Sequence, residues 1–170
     1  MSELIVLRLI HVVGGIFWVG AGLFNFIYLM PALAAAGPAA GPIMGVMERR
    51  KLFVVLPTVA VLTILSGLRL LWLTSGFTPA YFESGPGMTF SAAGGAAILA
   101  FLIGITLAMP AQKRMATLGP AIASATDDAA RSAAQAEMAR LQARTATVGK
   151  VVTLLLVIAA IGMAIARYVG

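Results

Sequence analysis

One histidine, His11, stands inside the apolar stretch LRLIHVVGGIFWVGAGLFNF, residues 7 to 26. A neutral imidazole is the commonest metal ligand among side chains, and thioethers suit Cu(I) or the second axial position of a haem iron. At helical spacing His11 shares a face with Gly15, Trp18, Gly22 and Asn25. The two glycines let a neighbouring helix or a flat ligand approach the backbone, and an Asn amide in mid-span seeks a partner inside a bundle rather than lipid. Leu4, Val6, Leu9, Val13 and Phe17 are left to meet acyl chains. Cysteine is absent, which excludes disulfides, thiolate ligands, thioether-attached haem and Cys nucleophiles. There is no phosphate loop and no Ser/His/acid set. The acidic residues Glu3, Glu48, Glu83, Asp127, Asp128 and Glu137 all fall outside the apolar spans, so carboxylate-coupled transport through the bilayer lacks its usual parts.

The elements that must position His11 are set by hydropathy. Of the 170 residues, 61% are hydrophobic and 11% charged, and the mean hydropathy is +0.99. Residues 4–30, 52–74, 90–109 and 151–168 form four apolar runs, each near the ~20 helical residues that cross a ~30 Å hydrocarbon core. Continuous rather than alternating hydrophobicity argues for helices and against a barrel. The first run is too long for a signal-peptide core and reads as a retained span. The expectation is an all-α, integral membrane four-helix bundle, one domain over 1–170. A cytoplasmic helical extension over about 126–148 precedes the fourth span and runs into it. Ser124 or Thr126 can cap that extension, with Asp127 and Asp128 in its first turn. Its weak apolar stripe, Met138, Leu141, Thr145 and Val148, is expected to pack on loop one or lie along the membrane surface. Pro31 is expected to end span one, Gly-Pro at 37–38 and 41–42 to punctuate a loop of modest structure, and Pro110 to close span three. No internal repeat is evident.

The net charge of +6 reads as topology rather than nucleic-acid binding. Nine of the twelve cations lie in loops one and three: Arg49, Arg50, Lys51, Lys113, Arg114, Arg131, Arg140, Arg144 and Lys150. By the positive-inside rule these loops are cytoplasmic and both termini lie outside, in what is expected to be a bacterial inner membrane. Anionic lipid is a natural partner for the basic loops. Arg8, Arg69 and Arg167 then share the outer half of the spans with His11, Met88 and Met163. Ionisable groups inside spans are costly and mark functional sites by default. The competing reading is that each Arg snorkels to the headgroups and the imidazole only packs. With His11, Met88 or Met163 could complete a copper or haem b site, while Arg8, Arg69 and Arg167 could pair haem propionates.

The pattern LIHVVGGIFWVGAGLF, with His11 seven residues before Trp18 and then Gly20, resembles the opening span of the copper resistance D (CopD)-like membrane proteins. It is also similar to the first span of HemJ-type protoporphyrinogen oxidases, and the likeness continues through LTILSGLRLLW in span two. The resemblance implies that His11 is a metal or haem ligand and that Trp18 packs beside it. Two departures bear on it: HemJ-type proteins use an intramembrane Lys, and copper-handling members carry more His or Met ligands. With one His per chain, haem would need a thioether, an open sixth position or a site shared by two protomers, a homo-oligomer or larger membrane complex. Three functions follow as expectations: a haem- or copper-binding membrane protein, a structural or accessory subunit with His11 as a packing residue, and an enzyme of haem metabolism.

Overall fold

Long apolar runs form helices because only a helix satisfies every backbone polar group within one segment. The computed structural model, which describes residues 2–37 and 40–169, is helical apart from short turns among those residues and holds no strand among them. Its helices are α1 (Glu3–Phe24), α2 (Met30–Ala36), α3 (Ala40–Arg49), α4 (Leu52–Ser75), α5 (Pro79–Glu83), α6 (Gly85–Ile103), α7 (Met109–Ser124) and α8 (Asp128–Ile165). Among the described residues, four continuous stretches are long and apolar enough to cross a membrane: Glu3–Ala36, Leu52–Ser75, Gly85–Ser124 and Asp128–Tyr168.

These four stretches close a ring. α1 lies against α4 and α8, α6 lies against α8 and α4, and α1 and α6 face each other diagonally. Neighbours run antiparallel: Glu3 meets Arg69 and His11 meets Thr63 across α1 and α4, and Gly22 meets Leu156 across α1 and α8. The buried residues are mostly small, including Ala60, Thr63, Ser66, Ala93, Ala100, Thr153, Ala159 and Ala166. Small residues at these positions let the helix backbones approach closely. Two ring positions carry more bulk. Leu156 is fully buried, and Trp18 reaches across the diagonal to Phe101, edge to face with centroids 6.3 Å apart. The expected outward face of α1 is exposed, Leu4, Val6, Leu9, Val13 and Phe17 among it.

Neither Pro31 nor Pro110 ends its helix, contrary to expectation. Asn25–Leu29 and Gly104–Ala108 are π-helical turns, in which Met30 N–H bonds the Asn25 carbonyl and Met109 N–H bonds that of Gly104. The wider turn absorbs the N–H that the following proline lacks, so α1 continues as α2 and α6 as α7. The two halves of the chain therefore share one device, a π turn followed by Met-Pro-Ala at 30–32 and at 109–111. The sequence alone showed no repeat there. Loop one is also more ordered than expected, since α3 occupies ten residues of it; Pro38 lies outside the described residues.

The extension before the fourth span forms as expected and runs without a break into that span as α8. Its cap is Asp127, whose carboxylate accepts from Ala129 and Ala130 N–H, rather than Ser124 or Thr126. At 38 residues and ~1.5 Å per residue, α8 is roughly 57 Å long, about twice a hydrocarbon core. Met138, Leu141, Thr145 and Val148 are half-buried, and α7 folds back along α8. Arg114 on α7 clamps Glu137 on α8 through two hydrogen bonds of 2.8 and 3.0 Å. That guanidinium holds the Glu137 carboxyl below the usual carboxylate range.

Candidate functional site

α4 carries Thr63, Ser66 and Gly67 at i, i+3 and i+4, a polar and glycine-bearing patch in the middle of a mostly apolar helix. The two hydroxyls are satisfied within their own helix: Thr63 Oγ1 donates to the Val59 carbonyl at 2.8 Å, and Ser66 Oγ to Leu62 at 2.7 Å and Thr63 at 3.0 Å. Such back-bonding costs an apolar span little, and it leaves the patch with no donor left over. The Thr63 carbonyl also accepts from across the seam, from His11 Nδ1 at 2.8 Å.

A carbonyl oxygen can only accept, so Nδ1 is the donor, and in the neutral form of the ring Nε2 is the nitrogen that carries the lone pair. Gly67 makes room for the ring. A Cβ there would stand 2.6 Å from Cε1 and 2.9 Å from Nδ1 of His11, closer than any side chain tolerates. Gly14, one turn along α1, gives Thr63 the same clearance. The imidazole is half-buried, seated edge-on against the α4 backbone.

The other candidate residues are distributed around this seam rather than gathered on it. Trp18 lies two turns deeper, against Phe101. Gly15 and Gly22 share the His11 face, the first touching Thr63 and the second Leu156. Met163 sits on the opposite seam, its methyl 3.9 Å from where a Gly94 Cβ would be. Met88, in the first turns of α6, is 57% exposed. By the antiparallel register of Gly22 on Leu156, Met163 and Arg167 come within about a turn of the His11 level. Arg8 and Arg167 are exposed. Arg69 is engaged by Glu3 at 2.8 Å, so one of the three expected propionate partners already holds a carboxylate. Among the described residues, no three His, Cys, Asp or Glu side chains converge on one point.

Thr63 and Gly67 are the partners that reading α1 alone misses. Their signal is present in LTILSGLRL, where two hydroxyls and a glycine fall on one face of an apolar run. Asn25 does its work through the backbone, its carbonyl closing the first π turn.

At the far end of the ring from Glu3, a second feature lies between α4, α6 and α7. It is an apolar groove lined by Trp18, Phe53, Pro57, Ala100, Ile105 and Gln112 among others. It sits beside the π turn at Gly104–Ala108, and Pro57 has no N–H to offer the carbonyl of Phe53.

No family model, no curated protein and no solved structure matches this chain.

Proposed function

We propose that the chain is an integral membrane protein in which the four apolar stretches form a bundle, and that His11 is a single-imidazole ligand to haem iron or copper. The observation that carries this reading is the Nδ1–H···O=C bond to Thr63. A second partner of this kind fixes the tautomer and orientation of metal-ligating imidazoles, raises their basicity and leaves Nε2 to coordinate. The residues present fit one protein ligand at His11, with Met163 the nearer thioether by register. A haem or copper ion would supply one-electron chemistry in a largely apolar setting. This chain's own residues orient the ring, through Thr63 and Gly67. The resemblance of span one to CopD-like proteins supports the same reading, as does the outward placement that the basic loops imply.

A second reading is favoured by the fit of the ring against Gly67: His11 locks α1 to α4, and the protein serves as a structural or accessory subunit. The two separate on content. Protein expressed with haem precursor and copper supplied, then purified in detergent, should carry a Soret band or stoichiometric copper that His11→Ala loses. Wild-type protein without either, and a His11→Ala variant altered only in thermal stability, would install the packing reading instead.

A further inference from the structure

The groove between α4, α6 and α7 has an apolar lining, and cations neighbour one end of that lining in sequence. Gln112 and Phe53 stand at one end of its lining, Trp18 and Ala100 at the other. Twelve residues separate Ala100 from Gln112, so at ~1.5 Å per residue the lining runs roughly 18 Å along α6 and α7. That is about one leaflet of a ~30 Å hydrocarbon core. Lys113 follows Gln112 directly, and Arg49, Arg50 and Lys51 immediately precede the start of α4, two residues before Phe53. All four cations are exposed. None of them takes part in an ion pair among the described residues, whose three pairs use Arg69, Arg114 and Arg131. The first turn of α4 holds no acidic residue, so its positive helix terminus adds to the same field.

We infer that this groove is a binding site for one anionic phospholipid, whose acyl chain lies along Trp18, Ala100, Ile105 and Pro57 and whose phosphate is held by Lys51, Arg50 and Lys113. Charge complementarity selects the occupant: a zwitterionic lipid offers the same chain but not the net negative headgroup that four unpaired cations attract. The inference rests on the membrane placement proposed above. It is independent of His11, which does not line the groove.

The chain's two tryptophans provide the test. Trp18 lines the groove, whereas Trp72 lies at the other end, 5.1 Å from Phe77. Trp72→Phe leaves Trp18 as sole reporter, and Trp18→Phe leaves Trp72 as control. Each variant is reconstituted into phosphatidylcholine vesicles in which a small fraction of lipid is chain-brominated, either phosphatidylglycerol or phosphatidylcholine. The expected result is that brominated phosphatidylglycerol quenches Trp18 at least about threefold more efficiently than brominated phosphatidylcholine, in line with the gain each engaged cation brings. Trp72 should show no such preference. In Arg50→Gln/Lys51→Gln/Lys113→Gln, three surface changes outside every helix seam, the preference at Trp18 should vanish while quenching by both lipids persists. Equal quenching of Trp18 by the two lipids in the unsubstituted background overturns the site. So does protection of Trp18 from both while Trp72 is quenched, which would mean that a second copy of this chain covers the groove. Failure of the membrane placement itself looks different: neither tryptophan is quenched by either lipid.

Discussion

Replacing Gly67 with Ala tests the His11 seam through its tightest contact. In a helix interior the change alone favours folding by ~0.5–1 kcal/mol, because glycine surrenders more backbone entropy. Here the new Cβ would lie 2.6 Å from His11 Cε1 and 2.9 Å from Nδ1, so the ring must retreat by about 1 Å to reach ordinary contact. That retreat strains a close-packed seam, at ~1–3 kcal/mol. It also stretches the 2.8 Å bond to the Thr63 carbonyl, and a hydrogen bond between membrane helices contributes ~0.6 kcal/mol on average. The strain and lost bond outweigh the propensity gain, so Gly67→Ala should destabilise by about 1–2 kcal/mol. In a His11→Ala background the obstacle is gone, and Gly67→Ala should become neutral or stabilising. A double-mutant cycle on reversible unfolding in mixed detergent micelles reads the difference as a coupling of about 1–3 kcal/mol. An equal cost in both backgrounds would refute the seated ring.

Other positions give further tests. Gly22→Leu should destabilise by ~1–3 kcal/mol, since even a Cβ there meets Leu156 Cδ1 at 3.1 Å, whereas Phe17→Leu on the exposed face should change little; equal effects would mean that the buried face of α1 is wrong. Docking of α7 on α8 should depend on pH. Because the carboxyl of Glu137 is held below its ordinary value by Arg114, the ion pair contributes fully above about pH 4.3 and is lost as pH falls through the depressed value. The α7–α8 pairing should loosen only in that acid range, seen as a small fall in thermal stability, and Glu137→Gln should remove the step; a transition near neutral pH would contradict the assignment. A C-terminal reporter active only in the cytoplasm should be silent, and a bright one would reverse the orientation in which His11 lies on the outer side.

Much of this arrangement is legible in the sequence because hydropathy and periodicity act directly. The four apolar runs become four long helices, and His11, Gly15, Trp18, Gly22 and Asn25 are the half-buried face of α1 while Val13 and Phe17 are exposed. What is not legible depends on backbone detail. Pro31 and Pro110 read as helix ends because proline lacks an N–H, yet a π turn in front of each lets the helix continue. The likeness of the two halves hides for the same reason: it resides in two π turns more than in side-chain identity. The partner of His11 is a main-chain carbonyl made reachable by a glycine, and a carbonyl leaves no mark in a sequence. Only the neighbouring Thr63, Ser66 and Gly67 point to it.

The most direct test of the central claim is the haem and copper content of purified His11→Gln protein beside the wild type. Glutamine keeps an amide N–H that can donate to the Thr63 carbonyl, so it replaces the imidazole as a packing group but not as a ligand. The ligand reading predicts wild-type protein with bound haem or copper and a His11→Gln variant that has lost it with little change in thermal stability. Bound haem or copper retained in full by His11→Gln, or absent from the wild type when both are supplied, would contradict it.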